Sequence, residues 1–97
     1  MRRAARTDNP DERAARFDVD PAEPVYVIGV VSHLVRIPIW TLRVIDREGL
    51  VRPKRRVGRA RLYSLEDVRL LLRIRHLLIE RRVNFEGVRI ILKLSSD

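Results

Sequence analysis

The 97-residue sequence contains no cysteine and only two histidines, His33 and His76. Disulfide bonds, thiolate metal sites and a cysteine nucleophile are therefore excluded. The histidines lack carboxylates at the spacing that a zinc site needs, so neither a metal nor another cofactor is expected. The acids within the predicted helices stand singly or near helix ends, without the paired base and nucleophile of a catalytic site. We therefore expect a protein that is not an enzyme.

Long hydrophobic runs are missing as well. The longest apolar stretch, Val25 to Val35, contains Ser32 and His33, and it is far shorter than the ~20 residues that cross a bilayer. The N-terminus is rich in arginine but has no apolar segment of the kind found in signal peptides. The expected protein is cytoplasmic and has no membrane partner.

Positive charge, by contrast, is abundant. The formal net charge is +8 and the isoelectric point is about 11.3. Residues 1–24 hold five arginines and six acids, whereas residues 25–97 hold sixteen basic residues and seven acids. The excess therefore belongs to the second segment, and it predicts a polyanionic partner such as nucleic acid.

Composition divides the chain at about residue 24. Residues 1–24 are rich in Arg, Ala, Asp and Pro, and their only sizeable apolar side chains are Phe17 and Val19. Such a segment buries too little apolar surface to offset the entropy lost on ordering. We expect a flexible leader over residues 1–24 and a single folded domain over residues 25–97.

Two short helical patterns open the domain. Apolar residues at helical spacing predict a first helix over Gly29–Val35, after an extended or helix-entry segment at Val25–Ile28. Pro38 suits the start of a second helix, Ile39–Glu48, and Gly49 suits its left-handed C-cap. Two short helices joined by a tight turn make a helix-turn-helix unit.

The segment after this unit is not helical in pattern and carries dense positive charge. Pro53, Gly58 and the alternation of residues 61–63 predict a β-hairpin tipped near Val57–Gly58. Basic side chains on a hairpin can neutralise the phosphates of a duplex, although a solvated charged loop is the alternative. The contact candidates in this segment are Lys54, Arg55, Arg56, Arg59, Arg61 and Tyr63. For Tyr63 a hydroxyl–phosphate contact and packing of the ring against the third helix both stay open.

Two further helices follow the hairpin. Ser64, with an acid three residues later, has the pattern of a capping box ahead of a third helix from Leu65 to about Arg82. The apolar set of this helix is wider than one stripe. Asn84 is the expected N-cap of a fourth helix, Phe85–Leu94. The predicted fold is mostly α, a winged helix-turn-helix with four helices and a short basic β-hairpin wing.

The second helix has a face suited to the major groove of DNA. If Ile39, Leu42 and Ile45 face the core, helical spacing places another set outward: Trp40, Arg43 and Arg47. Arginine can read guanine through two hydrogen bonds, and Thr41 is placed near the helix start for a phosphate contact. The alternatives are a core or interface position for Trp40, and ordinary solvation or an ion pair with Asp46 or Glu48 for the arginines.

Several of these residues resemble a known family. The block Thr41–Pro53, together with Ile28-Gly29 and residues 61–64, resembles the DNA-binding domain of the MerR family of transcriptional regulators. Residues 83–88 and Ile90-Ile91 resemble its heat-shock repressor (HspR-like) branch. The resemblance spans residues 26–94 and implies a recognition helix, Ile39–Glu48, and a wing, Lys54–Arg61. It also implies dimers on inverted repeats, with contact candidates Thr41, Arg43, Arg47, Arg59, Arg61 and Tyr63.

The sequence departs from the family pattern at three places. Arg36 stands where the turn glycine is usual, and a left-handed arginine costs about 1 kcal/mol or more, so an altered turn is expected. Ile45 stands where an aromatic is common, so that residue's phosphate contact does not carry over. The sequence ends at Asp97, directly after the fourth predicted helix, so neither a long dimerisation helix nor an effector domain is expected.

Three functional hypotheses follow. The first is a sequence-specific regulator of transcription, a repressor in the stress response, that dimerises through the third and fourth helices or on double-stranded DNA. The second is an architectural or excisionase-like DNA-binding accessory protein. The third is an adaptor that binds a chaperone or polymerase subunit through the third and fourth helices. Binding of RNA is a fourth and less supported hypothesis, because the few aromatic residues form no platform on which the bases of single-stranded RNA could stack.

Overall fold

A computed structural model describes residues 20–55 and 61–95. The elements of this part are β1 (Tyr26–Val27), α1 (Ile28–Val35), α2 (Ile39–Arg47), β2 (Lys54–Arg55), β3 (Arg61–Tyr63), α3 (Leu65–Arg75), a π-helical turn (His76–Glu80) and α4 (Phe85–Ser95). The predicted class, a mostly helical winged helix-turn-helix with four helices, is confirmed. Residues 1–19 of the predicted leader and the hairpin tip at Val57–Gly58 lie outside the described residues.

The helix-turn-helix unit keeps a tight turn although a glycine is missing from it. α1 and α2 meet at 104°, within the range usual for this motif. Arg36 adopts the left-handed conformation with φ 58° and ψ 44°, and its N–H bonds to the Ser32 carbonyl. The Ser32 hydroxyl donates to the Ile37 carbonyl at 2.6 Å. The expectation of an altered turn is therefore wrong: the turn is retained, at a conformational cost of about 1–2 kcal/mol.

The sheet has three strands where a two-stranded hairpin was predicted. Its order is β1-β3-β2, and both pairings are antiparallel. Tyr26 lies opposite Tyr63, and Lys54 lies opposite Leu62. The extended alternative for Val25–Ile28 agrees with β1 at Tyr26–Val27, whereas the pairing of this strand with β3 was not predicted. β1 ties the base of the hairpin to the beginning of the helix-turn-helix unit.

Residues 20–24, which were assigned to the leader, contact the domain. The Glu66 N–H donates to the Pro21 carbonyl at 3.0 Å, and the Val25 N–H donates to the Tyr63 carbonyl at 3.0 Å. Asp20 accepts from the Ala22 N–H through its side chain at 2.9 Å. The Pro21 contact satisfies one of the N–H groups that the first turn of α3 leaves open. The boundary drawn at residue 24 is therefore too late, because residues 20–24 belong to the folded unit.

α3 begins as predicted and ends earlier than predicted. Ser64 and Asp67 form the capping box, with hydrogen bonds of 2.9 and 3.1 Å between each side chain and the other residue's N–H. The α-helical geometry stops at Arg75 instead of continuing to about Arg82, because residues 76–80 form the π-helical turn. In an α-helix, residues five apart point in directions about 140° apart. The wider turn instead brings Glu80 to 2.6 Å from Arg75.

Side chains from α1, α2, α3 and α4 meet in one core. Asn84 caps α4 as predicted, since its Oδ1 accepts from the Gly87 N–H at 2.8 Å. Gly49 ends α2 with φ 75°, the left-handed C-cap expected from the sequence. The buried cluster consists of Val31, Val35, Ile37, Leu42, Ile45, Val51, Tyr63, Val68, Leu71, Ile74 and Val88. Through Val88 the core reaches α4, so the whole helical unit packs around the inner face of α2.

Two arginines from the C-terminal half hold the two ends of α2. Arg75 Nε donates to the Arg36 carbonyl at 3.3 Å, in the turn that precedes α2. Arg89 of α4 donates to the Glu48 carbonyl at 2.8 Å and to its carboxylate at 3.0 Å, where α2 ends. Arginine suits this role because its planar fork can donate to two acceptors at once. The position of α2 is therefore coupled to α3 and α4.

The left-handed Arg36 gives a stability prediction. The substitution Arg36→Gly removes the steric strain and leaves the carbonyl that Arg75 binds, while glycine adds backbone entropy to the unfolded chain. We expect the free energy of unfolding in urea to rise by roughly 0.5–1 kcal/mol. Arg36→Ala, which keeps the strain but removes the side chain, is the control and should stay near the parent. A less stable glycine variant would contradict the assigned strain.

Candidate nucleic-acid interface

α2 separates an inner apolar face from an outer basic face. Leu42 and Ile45 are buried, whereas Trp40 is 70% exposed and both Arg43 and Arg47 are exposed. Trp40 therefore does not occupy the core position that was its alternative. The outward placement predicted from helical spacing is confirmed, and contact of these side chains with DNA stays a prediction.

The beginning of α2 differs from the expectation at one residue. Ile39 was predicted to face the core, but it is 39% exposed. It is the first residue of α2, and the exposed Pro38 precedes it, so the chain enters the helix at the margin of the core. Thr41 is half-buried, and its N–H donates to the Pro38 carbonyl at 3.0 Å. Ile39 and Trp40 together leave an apolar surface at the start of a basic helix face.

The acids nearest to the two arginines of α2 are bound elsewhere. Asp46 accepts from Arg61 at 3.2 Å, and Glu48 accepts from Arg89 at 3.0 Å. Within residues 20–55 and 61–95, Arg43 and Arg47 have no hydrogen-bond or ion-pair partner. The ion-pair alternative is therefore not what the structure shows, and both guanidinium groups are available to an external anion.

The base of the hairpin lies beside α2. Lys54 is exposed, and the Arg61 side chain is 54% exposed while it pairs with Asp46. Arg55 lies opposite Arg61 in the sheet. The side chain of Arg55 and the whole of Arg56 and Arg59 lie outside the described residues. Of the five basic candidates of the predicted wing, the structure thus places the side chains of Lys54 and Arg61.

The Tyr63 ring belongs to the core, with 1% of the residue exposed. Burial, followed by the negative charges of Asp46 and Asp67, raises the pKa of Tyr63 to about 12, against the opposing effect of Arg43 and Arg61. Of its two predicted roles, packing of the ring is the one that the structure shows. The phenol is therefore neutral at physiological pH.

A concave surface between α2 and the hairpin gathers arginines around one carboxylate. A cavity of about 240 Å³ is lined by Ile28, Arg43, Asp46, Pro53, Arg61 and Tyr63. A neighbouring cavity of about 370 Å³ is lined by Asp46, Arg47, Arg52, Pro53 and Arg61. Arg52 and Asp46 were not among the predicted site residues. The basic run signals Arg52, but sequence alone gives no sign that Asp46 contacts Arg61.

The histidines do not contribute to this surface. His33 is exposed on α1, and His76 lies 2.9 Å from a carboxylate oxygen of Glu80 in the π-helical turn. Hydrogen bonds from His76 and then Arg75 lower the pKa of Glu80. In the described part of the chain, no three His, Asp or Glu side chains are grouped as metal ligands. No single helix among the described residues is long and apolar enough to span a membrane. The bent pair α1 and α2 reaches that length and apolarity only when the two helices are counted together.

Comparison with known proteins gives a family match over the same region. A model of the MerR HTH family of regulatory proteins matches residues 26–95. The heat shock protein HspR of Streptomyces coelicolor is 38% identical over 81 residues, which cover 84% of this chain and 54% of that protein. The HTH-type transcriptional regulator GlnR of Bacillus anthracis is 32% identical over 74 residues, covering 76% of this chain and 57% of the relative. The chain thus spans about half the length of these curated relatives.

The raised pKa of Tyr63 predicts how stability depends on alkaline pH. Because the folded pKa of about 12 exceeds the unfolded value of ~10, the stabilisation is complete below pH ~10 and is lost as the pH rises toward 12. In a Tyr26→Phe variant, the phenolate absorbance should titrate near pH 12. Tyr63→Phe is the matched control and should lack this part of the alkaline loss of stability. A midpoint near 10 would contradict the burial of the hydroxyl.

Proposed function

Because this chain belongs to the MerR family of HTH regulatory proteins, we propose that it is a double-stranded DNA-binding transcriptional regulator that acts as a sequence-specific repressor. The observation that carries the proposal is the outer face of α2. It exposes Trp40 and two arginines without partners among the described residues, and Leu42 and Ile45 anchor its opposite face in the core. The stress-response role rests on the similarity to HspR. A regulator of this kind acts in the cytoplasm, on the nucleoid.

In the proposed complex, α2 lies in the major groove. A helix with side chains is ~10–12 Å wide, and the major groove is ~12 Å wide. Arg43 and Arg47 then face the base edges, where each can donate two hydrogen bonds to guanine O6 and N7. Thr41, near the beginning of α2, contacts a phosphate. Base recognition is thereby assigned to α2.

The wing supplies contacts that do not depend on sequence. Its proposed phosphate ligands are Lys54, Arg55, Arg56, Arg59 and Arg61. About five full contacts would give a slope of log K against log salt concentration near −4 to −5, which is an upper limit because Arg61 is already paired with Asp46. Tyr63 supports the base of the wing from the core. Affinity at low salt is thus assigned mainly to the wing.

The C-terminal half offers a surface for a second copy of the chain. Several large apolar side chains of α3, the π-helical turn and α4 are 39–74% exposed, namely Leu72, Ile79, Ile90 and Leu94. Ile90 and Leu94 are four residues apart and share one side of α4. We propose a homodimer through α3 and α4 that binds an inverted repeat. A chaperone or polymerase partner at this surface is the second candidate, favoured by the same exposed residues.

The decisive experiment selects bound sequences from a pool of random duplexes and titrates binding with salt. Enrichment of an inverted repeat would support a dimeric, sequence-reading regulator and would give the spacing of its half-sites. Tight, unselective binding with a steep salt slope would favour an architectural accessory protein. Failure to bind any duplex at low salt would contradict the proposal and leave the partner-protein function. Reporter repression from the selected site then tests the direction of regulation.

Substitution of Arg43 tests base recognition. Arg43→Ala should weaken binding to the selected site by about 1–3 kcal/mol and relax the base preference at one position, because the bidentate contact is lost. Arg81→Ala removes the same charge from an exposed position beyond the π-helical turn and is the control. It should cause a small, sequence-independent loss. An equal loss on all sequences for Arg43→Ala would make Arg43 a phosphate ligand.

A further inference from the structure

Trp40 is the aromatic residue of α2. It is uncharged, yet it lies on the exposed basic face of this helix. Its neighbour Ile39 is 39% exposed, and Trp40 itself is 70% exposed. The free-energy cost of exposing an apolar side chain to water grows with its exposed area. Exposed patches of such side chains mark binding surfaces. The beginning of α2 therefore offers an apolar surface to a partner.

The helix geometry places this apolar surface within the basic face. Trp40, Arg43 and Arg47 occupy positions i, i+3 and i+7, so their side chains leave α2 within a sector of about 60°. Trp40 and Arg43 are separated by ~4.5 Å along the helix axis. When α2 follows the groove, this distance corresponds to little more than the 3.4 Å rise of one base pair. If Arg43 reads a guanine, Trp40 faces the neighbouring base pair.

The chemistry of the indole selects among the four bases. Indole has an apolar body and one N–H donor, and it has no acceptor. In the major groove, thymine presents a C5-methyl group beside the O4 acceptor. Adenine and guanine offer acceptors without a methyl group, and cytosine offers an amino donor that indole cannot satisfy. Thymine is the base whose edge matches both parts of the side chain.

We propose, on the basis of the DNA-binding function above, that Trp40 is a specificity-determining residue that recognises the C5-methyl group of a thymine next to the guanine read by Arg43. Removal of the methyl group from the thymine exposes part of the indole again. The affinity for the operator should then fall about fourfold, the loss expected for one buried methyl-sized group.

The test replaces each thymine of the selected operator, one at a time, by uracil, which lacks the methyl group but keeps O4. The full chain should lose affinity about fourfold at one thymine of each half-site. Trp40→Ala should bind the thymine and uracil duplexes equally at that position, whatever its overall affinity. Trp40→Phe keeps an apolar ring and should retain most of the discrimination.

Two comparisons keep this inference separate from the proposed function. Val25→Ala removes an exposed apolar side chain that lies outside α2 and outside the proposed dimer surface, and it should keep the full uracil effect. Uracil substitution without effect in the parent protein, or with the same effect in Trp40→Ala, would overturn the assignment to Trp40 while DNA binding stands. If no duplex binds at all, both the proposed function and this inference are overturned.

Discussion

The attachment of α2 at both ends is the constraint on which the rest of the interface depends. One arginine of α3 binds the carbonyl of the turn before α2, and one arginine of α4 binds the last turn of α2. Leu42 and Ile45 fix its rotation by packing into the core. With position and rotation fixed, the residues of the outer face are presented in one orientation. Precise presentation of this kind is what base recognition requires.

Features encoded by neighbouring residues could be predicted from the sequence. The Ser64 capping box, the Asn84 cap and the Gly49 C-cap each depend on residues a few positions apart. The same holds for the alternation of inner and outer positions along α2. The pairing of β1 with β3 was not predicted, because a strand of two residues has no alternation that indicates a partner. The π-helical turn was missed because its apolar residues continue the pattern of α3.

Most of the features of the site that could not be predicted from the sequence are contacts between residues that are far apart in the chain. Arg89 and Glu48 are 41 positions apart, and Arg61 and Asp46 are 15 apart. No short-range pattern pairs them, so Asp46 and Glu48 were equally plausible partners for the arginines of α2. Arg36 illustrates the opposite case, since local preference argues against its conformation. The core residues Val35 and Ile37 on either side of it hold the turn in place despite that preference.

The ion pair between Arg61 and Asp46 changes the meaning of the net positive charge of this surface. A guanidinium that already has a carboxylate within 3.2 Å has exchanged part of its ion atmosphere for an internal anion. When such a group meets a phosphate, the phosphate competes with the carboxylate, so the pair brings less net positive charge to the DNA and releases fewer of the DNA's counterions than an unpaired arginine does. Counting arginines therefore overstates the ionic contribution of the wing, and Asp46 is the internal counterion of Arg61 that a phosphate would replace.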